Sequence, residues 1–188
     1  MKPFRPNVCA VIVDEERGRV LVFRRVGRQF TARPWQFPQG GLHKNEAPEP
    51  GLLRELKEEI GTANVEIVRR LARPIRYVYP PAVARQLERE RLKMTRFRGQ
   101  EQHWFLVKLL GKTSDIHFNH EPREFCGFRW VTPRQAATLV VPFKREAYLR
   151  ALRSLGLIRP PPRAASSPAG LATGSHFNAA PRRKADRR

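Results

Sequence analysis

The chain is 188 residues long and carries 37 lysines and arginines against 17 acidic residues, a formal net charge of +20. That length holds one domain with a full core and is too short for two of ordinary size, while 40% hydrophobic residues sets the chain apart from sequences too polar to collapse. So large a positive charge disfavours basic partners and favours polyanions: nucleic acid, nucleotides or an acidic membrane surface.

Asn7–Val13 and Val20–Arg25 are apolar, β-branched-rich runs around the polar turn Asp14-Glu-Glu-Arg-Gly18, which predicts a β-hairpin. Trp35-Gln-Phe-Pro-Gln-Gly40-Gly41 reads as a short extended piece ending in a glycine loop. Residues 47–60 are helical by pattern, with prolines tolerated in the first turn and Gly61 as the stop. Strands are expected over Val65–Leu71, Ile75–Tyr79, Trp104–Leu110 and Phe128–Val131, and helices over Pro133–Leu139 and Lys144–Leu155. Strands and helices mix without a βαβ repeat, so the fold class is α+β, a mixed sheet between helices. Cys9 and Cys126 both lie in strand-like runs and are expected to be buried free thiols. The apolar run Val8–Val13 is too short for a signal-peptide core and no segment approaches a membrane span, so a cytoplasmic protein without membrane contact is expected. Residues 1–158 form the folded domain. Residues 159–188, rich in Pro, Ala and Arg, have too few large apolar groups to offset their ordering entropy and are expected to be a disordered basic tail.

The chemistry concentrates in the first predicted helix. Leu52, Leu53, Leu56 and Ile60 form an apolar stripe, and Glu55, Glu58 and Glu59 fall at i, i+3 and i+4 beside it. Three carboxylates repel one another there, close to a helix C-terminus that itself disfavours anions. Mg2+ removes the objection, because carboxylate oxygens are its natural ligands and it commonly joins them to substrate phosphates. A bare acidic run is ordinarily a solvated face. This one follows a glycine pair, and Glu46 stands eight residues before Arg54, with opposite charge, as a brace between loop and helix.

The stretch Gly40-x5-Glu46-x7-Arg54-Glu55-Leu56-x-Glu58-Glu59-x-Gly61 resembles the Nudix box, with Thr62 in place of its final aliphatic residue. The resemblance implies an α/β/α sandwich and metal-dependent hydrolysis of a nucleoside diphosphate linked to another group. From about Arg5 to about Leu152 the chain is similar to the bacterial RNA 5′-pyrophosphohydrolase branch, first described as dinucleoside polyphosphate hydrolases. The segments that carry this are Arg5-Pro-Asn-Val, Arg24-Arg25, Trp35–Gly41, Trp104-Phe105, Glu124–Val131 and Pro142–Arg145. By that resemblance, Glu55, Glu58, Glu59 and Glu124 bind Mg2+, for which Mn2+ or another divalent ion can substitute. Gly40 adds a contact from the loop, and one of the four glutamates accepts the proton of the attacking water. Arg5 lies near the 5′ phosphates, Arg25, Val141 and Lys144 line a cleft for a base, and Tyr77, Gln100 and Phe143 stand at its rim. Phe143 reads equally well as core, and Trp35 and Trp104 read as core.

Ten arginines and lysines between Arg69 and Glu101 face only three glutamates, with Tyr77 and Tyr79 interleaved, a pattern suited to single-stranded nucleic acid. The expected substrate is the 5′-triphosphate or 5′-diphosphate end of RNA. The alternatives are a dinucleoside polyphosphate and, from another class, a non-catalytic RNA- or ribosome-binding role.

Overall fold

A computed structural model describes residues 1–27, 33–90, 93–119 and 121–159. The predicted tail therefore lies outside the described residues, apart from Arg159. Eight strands form one mixed sheet: β1 (Phe4–Asp14), β2 (Arg19–Arg25), β3 (Trp35–Gln36), β4 (Gln39–Gly41), β5 (Val65–Arg70), β6 (Ile75–Val78), β7 (Gly99–Leu109) and β8 (Phe125–Val131). Its main path runs β3-β2-β1-β7-β5, with β4 on β1, β6 on β7 and β8 on β2. The pair β1 and β7 is parallel, from Phe4 opposite Gly99 to Ile12 opposite Val107, and the other pairs are antiparallel.

Helix α1 (Pro48–Ile60) covers one face of this sheet, and α3 (Pro133–Leu139) with α4 (Arg145–Ser154) covers the other. Strand alternation explains the division. Val8, Ala10 and Ile12 of β1 meet Leu52, Leu56 and Ile60 of α1, whereas Cys9, Val11 and Val13 meet Tyr148, Ala151 and Leu152 of α4. Burying Leu52, Leu56 and Ile60 stabilises the fold by roughly 1.5–3 kcal/mol each. That gain anchors α1 although its other face is crowded with carboxylates. Gly61 ends the helix with φ 78°, a left-handed cap in which its N–H donates to the Lys57 carbonyl.

Two expectations need correction. Strand β7 begins at Gly99, five residues before Trp104. The segment between β6 and β7, to which the sequence pattern assigned no element, contains α2 (Pro81–Arg89) and a 3-10 turn over Lys93–Arg96. Cys9 is buried as expected, but Cys126 is exposed: among the described residues β8 pairs with β2 alone and so stands at the edge of the sheet.

Candidate active site

The box folds as loop, helix and loop, and one side chain ties its parts together. The Arg54 guanidinium donates from Nε to Glu46 Oε1 (2.8 Å) and from Nη2 to Glu46 Oε2 (2.8 Å) and the Gly41 carbonyl (3.0 Å). Its Nη1 donates to Glu55 Oε1 (2.8 Å) and Glu58 Oε2 (3.2 Å). Glu46 also accepts the His43 N–H at 2.8 Å. These bonds, those of Arg54 above all, hold the Glu46 carboxyl down at about 2.

Gly40 sits where the Glu55 carboxylate presses against the chain, and Gly41 where the Arg5 guanidinium does. A Cβ at either position would overlap the ends of these two side chains and oblige them to shift. Glu59 is buried behind them, and its Oε2 accepts the Gln39 N–H at 2.8 Å. Burial raises its affinity for a proton well above normal, and Glu124 and Glu55 reinforce the shift. Glu55 is shifted the same way, mainly by burial.

A cleft of about 820 Å³ opens over this assembly. Glu55, Glu58 and Glu124 line it, as do Arg5, Arg25, Gly40, Arg54, Tyr77, Gln100, Phe143 and Lys144. Glu124, sixty-five residues beyond Glu59 in the chain, arrives because β8 pairs with β2; its carboxylate lies 3.8 Å from Arg25. Lys144 is buried and donates to Gln36 Oε1 at 3.3 Å. Burial, and then Arg25, lower its pKa to about 7. The Tyr77 hydroxyl donates to Gln100 Oε1 at 2.6 Å, and the Phe143 ring lies 5.8 Å from that of Tyr77, so Phe143 both packs on the core and lines the cleft. Val141 stands outside the main cleft, in a side pocket it shares with Arg25, Gln36 and Lys144. Trp104 is core, and Trp35 packs against the core beneath the Arg129 guanidinium at 4.2 Å.

The floor is a set of buried amides that the sequence did not single out. Gln102 Nε2 donates to Asn7 Oδ1 (2.8 Å) and Gln39 Oε1 (2.9 Å), and the same extended piece is gripped by Lys144, just before α4, on Gln36 and by Tyr148 of α4, whose Oη accepts the Phe37 N–H at 3.1 Å. Residues 36–39 are thus held from two sides while presenting a backbone donor to Glu59.

The donor set fits a hard divalent cation: four carboxylates from two distant segments, two of them with protonation favoured by crowding and burial. Among the described residues no three of these acidic groups converge as they stand, and Arg54 is the cation that spans Glu55 and Glu58. Glu58, an exposed side chain, has to leave its bond to Arg54 to turn inward.

A pH effect follows. A carboxyl whose folded pKa is raised contributes stability that is full below its unfolded pKa and disappears as pH rises through the folded value. In metal-free protein Glu55 and Glu59 therefore contribute more stability as pH falls through their raised folded values towards the ordinary carboxylate range, with His103, shifted down by burial, opposing it. Thermal melts of wild type and Glu59→Gln isolate the carboxylate contribution: the gain is larger in wild type and Mg2+ abolishes the difference. Parallel curves without metal contradict this electrostatic picture.

Comparison with known proteins gives a consistent result. The NUDIX domain family model matches residues 3–151. An RNA pyrophosphohydrolase of Teredinibacter turnerae is 43% identical over 155 residues, 81% of this chain and 85% of that protein. One from Saccharophagus degradans is 41% identical over 155 residues, with the same shares covered. Among solved structures, the E. coli dihydroneopterin triphosphate pyrophosphohydrolase superposes with a TM-score of 0.56 at 19% identity, covering 81% of this chain and 99% of that one. A C. elegans Ap4A hydrolase does so with 0.52 at 16%, covering 79% and 96%.

Proposed function

Because the chain belongs to the NUDIX domain family, we propose that it is an RNA 5′-pyrophosphohydrolase that uses a divalent cation, in the first place Mg2+, to convert 5′-triphosphate or 5′-diphosphate ends to 5′-monophosphate. Water attacks phosphorus, a phosphoanhydride bond breaks, and pyrophosphate or phosphate leaves. The observation that carries this reading is the cleft itself: carboxylates on one wall face Arg5, Arg25 and Lys144, and Tyr77 and Phe143 stand beside them. The curated relatives named RNA pyrophosphohydrolase support RNA as the substrate.

Glu55, Glu58, Glu59 and Glu124 are the residues that would hold the cation. Bound there, it supplies neutralisation of phosphate charge and a lowered pKa for water. The chain's own groups do the rest. Arg5 and Arg25 orient the phosphate chain and stabilise the charge that develops in the transition state. Lys144, with its pKa near 7 in the empty cleft, becomes a full cation when an anion lies beside it. Glu59 does not open on the cleft, so it serves as a ligand held by the Gln39 N–H, and the water proton passes to Glu55, Glu58 or Glu124. Tyr77, Gln100, Phe143 and, from the side pocket, Val141 contact the nucleoside.

The test uses RNA labelled at the γ-phosphate or the β-phosphate. With Mg2+ both labels leave and a 5′-monophosphate end remains; with excess chelator neither leaves, and Mn2+ restores release. Binding of RNA with no metal-dependent release would instead make the protein a non-catalytic RNA binder. A second reading, hydrolysis of dinucleoside polyphosphates, is favoured by the fold it shares with the C. elegans Ap4A hydrolase and by the same anionic chain in such substrates.

A further inference from the structure

One corner of the sheet lies just outside the cleft and carries alternating cations and rings. Phe4, Gly99 and Val78 are register neighbours on β1, β7 and β6. Strand alternation sends Arg5 and Tyr77 into the cleft and turns Phe4 and Arg76 to the opposite face. There the Arg98 guanidinium lies 4.3 Å and that of Arg76 5.2 Å from the centre of the Phe4 ring. The run continues into the cleft, because Arg96, 5.0 Å from the Phe97 ring, and Phe97 itself both line its wall. Val78 is 57% exposed beside them. Among the described residues, the three guanidiniums have one carboxylate partner, that of Glu101 on Arg76.

We propose that this corner, Arg96-Phe97-Arg98 with Phe4 and Arg76, is an exit track for single-stranded RNA: the 5′ phosphates lie in the cleft while the following nucleotides cross the Arg96–Phe97 rim and settle on the outer face. The inference rests on the reading of RNA 5′ ends as substrate and extends it to the part of the RNA that the cleft does not reach. The chemistry favours a single strand over a duplex. Guanidiniums held over rings offer charge to the backbone, and planar groups of both kinds can stack with unpaired bases without sequence preference. A folded acidic protein would gain from the charge but not from the stacked planes.

The experiment compares a 5′-triphosphorylated dinucleotide with a 5′-triphosphorylated twelve-nucleotide single strand of the same 5′ sequence. In the doubly substituted protein Arg76→Ala/Arg98→Ala, kcat and KM for the dinucleotide stay at the wild-type values. KM for the longer RNA rises about tenfold, and the slope of log KM against log salt falls by roughly 1.4, about 0.7 for each lost phosphate contact. Arg76→Lys/Arg98→Lys keeps the charge and loses the flat stacking, so it restores the salt slope but only part of the KM. Thermal melts of both variants verify the fold, and the Lys variant decides the matter if the Ala variant melts early. Equal losses on both substrates, or no loss on either, overturn the track. If wild type cleaves neither RNA but does cleave a dinucleoside tetraphosphate, the substrate assignment itself fails and the track falls with it.

Discussion

Glu58→Gln and Glu59→Gln are each expected to lower turnover by about a thousandfold or more, the loss of several kcal/mol of cation-dependent transition-state stabilisation. Neither costs the fold. Glu58 is an exposed side chain that pairs with Arg54. Glu59 is buried, but glutamine keeps an oxygen for the Gln39 N–H and removes a desolvated charge, so metal-free Glu59→Gln melts at or above the wild-type temperature. Steady-state rates at saturating Mg2+, with melting curves on the same preparations, make the comparison. Near-normal turnover in either variant removes that residue from the site.

Arg54→Met is expected to lose both stability and activity. It leaves Glu46 and the Gly41 carbonyl without their main partner in a mostly buried setting, at a cost of about 2–4 kcal/mol. It also frees the loop that presents Gly40 to Glu55. Arg54→Lys rescues little, since an ammonium cannot make the paired bonds to Glu46. Acid sensitivity is a second readout. Glu46 has its folded pKa depressed to about 2, so its stabilisation is full above the usual glutamate pKa and is lost progressively as pH falls from there through about 2. Wild type therefore keeps the brace in mild acid. The brace is already absent in Arg54→Met, which lacks that part of the acid transition. Wild-type stability in Arg54→Met would show that the loop is held by something other than this guanidinium.

The box was legible because its residues carry their reasons locally. An apolar stripe, three glutamates at helical spacing, a glycine pair and an opposed Glu46 and Arg54 all fall within twenty-two consecutive positions. The first half of β7 was not legible, and the cause is functional. Gln100 lines the cleft and accepts from Tyr77, while Gln102 lies buried and donates from Nε2 to Asn7 and Gln39, so a genuine strand shows no apolar alternation until Trp104. Helix α2 hid for a related reason. It opens with two prolines and packs only Val83 and Leu87 against the core, so its arginines dominated the pattern. Residues such as Gln36, Gln39 and Tyr148 act through contacts across 63 to 111 positions of chain, which no local spacing announces. The resemblance to the RNA 5′-pyrophosphohydrolase branch supplied Glu124 and Lys144, and the structure brings both to the cleft.

The most direct test of the central claim is a competition. Equal concentrations of 5′-triphosphorylated RNA, 5′-diphosphorylated RNA and diadenosine tetraphosphate are mixed with the protein and Mg2+, with Glu58→Gln as control, and each product is followed. Conversion of the RNA ends to monophosphate well ahead of dinucleotide cleavage, and none of it in the control, is the predicted result. Cleavage of the dinucleotide alone would contradict the assignment of RNA as substrate and leave the cation-dependent hydrolysis standing.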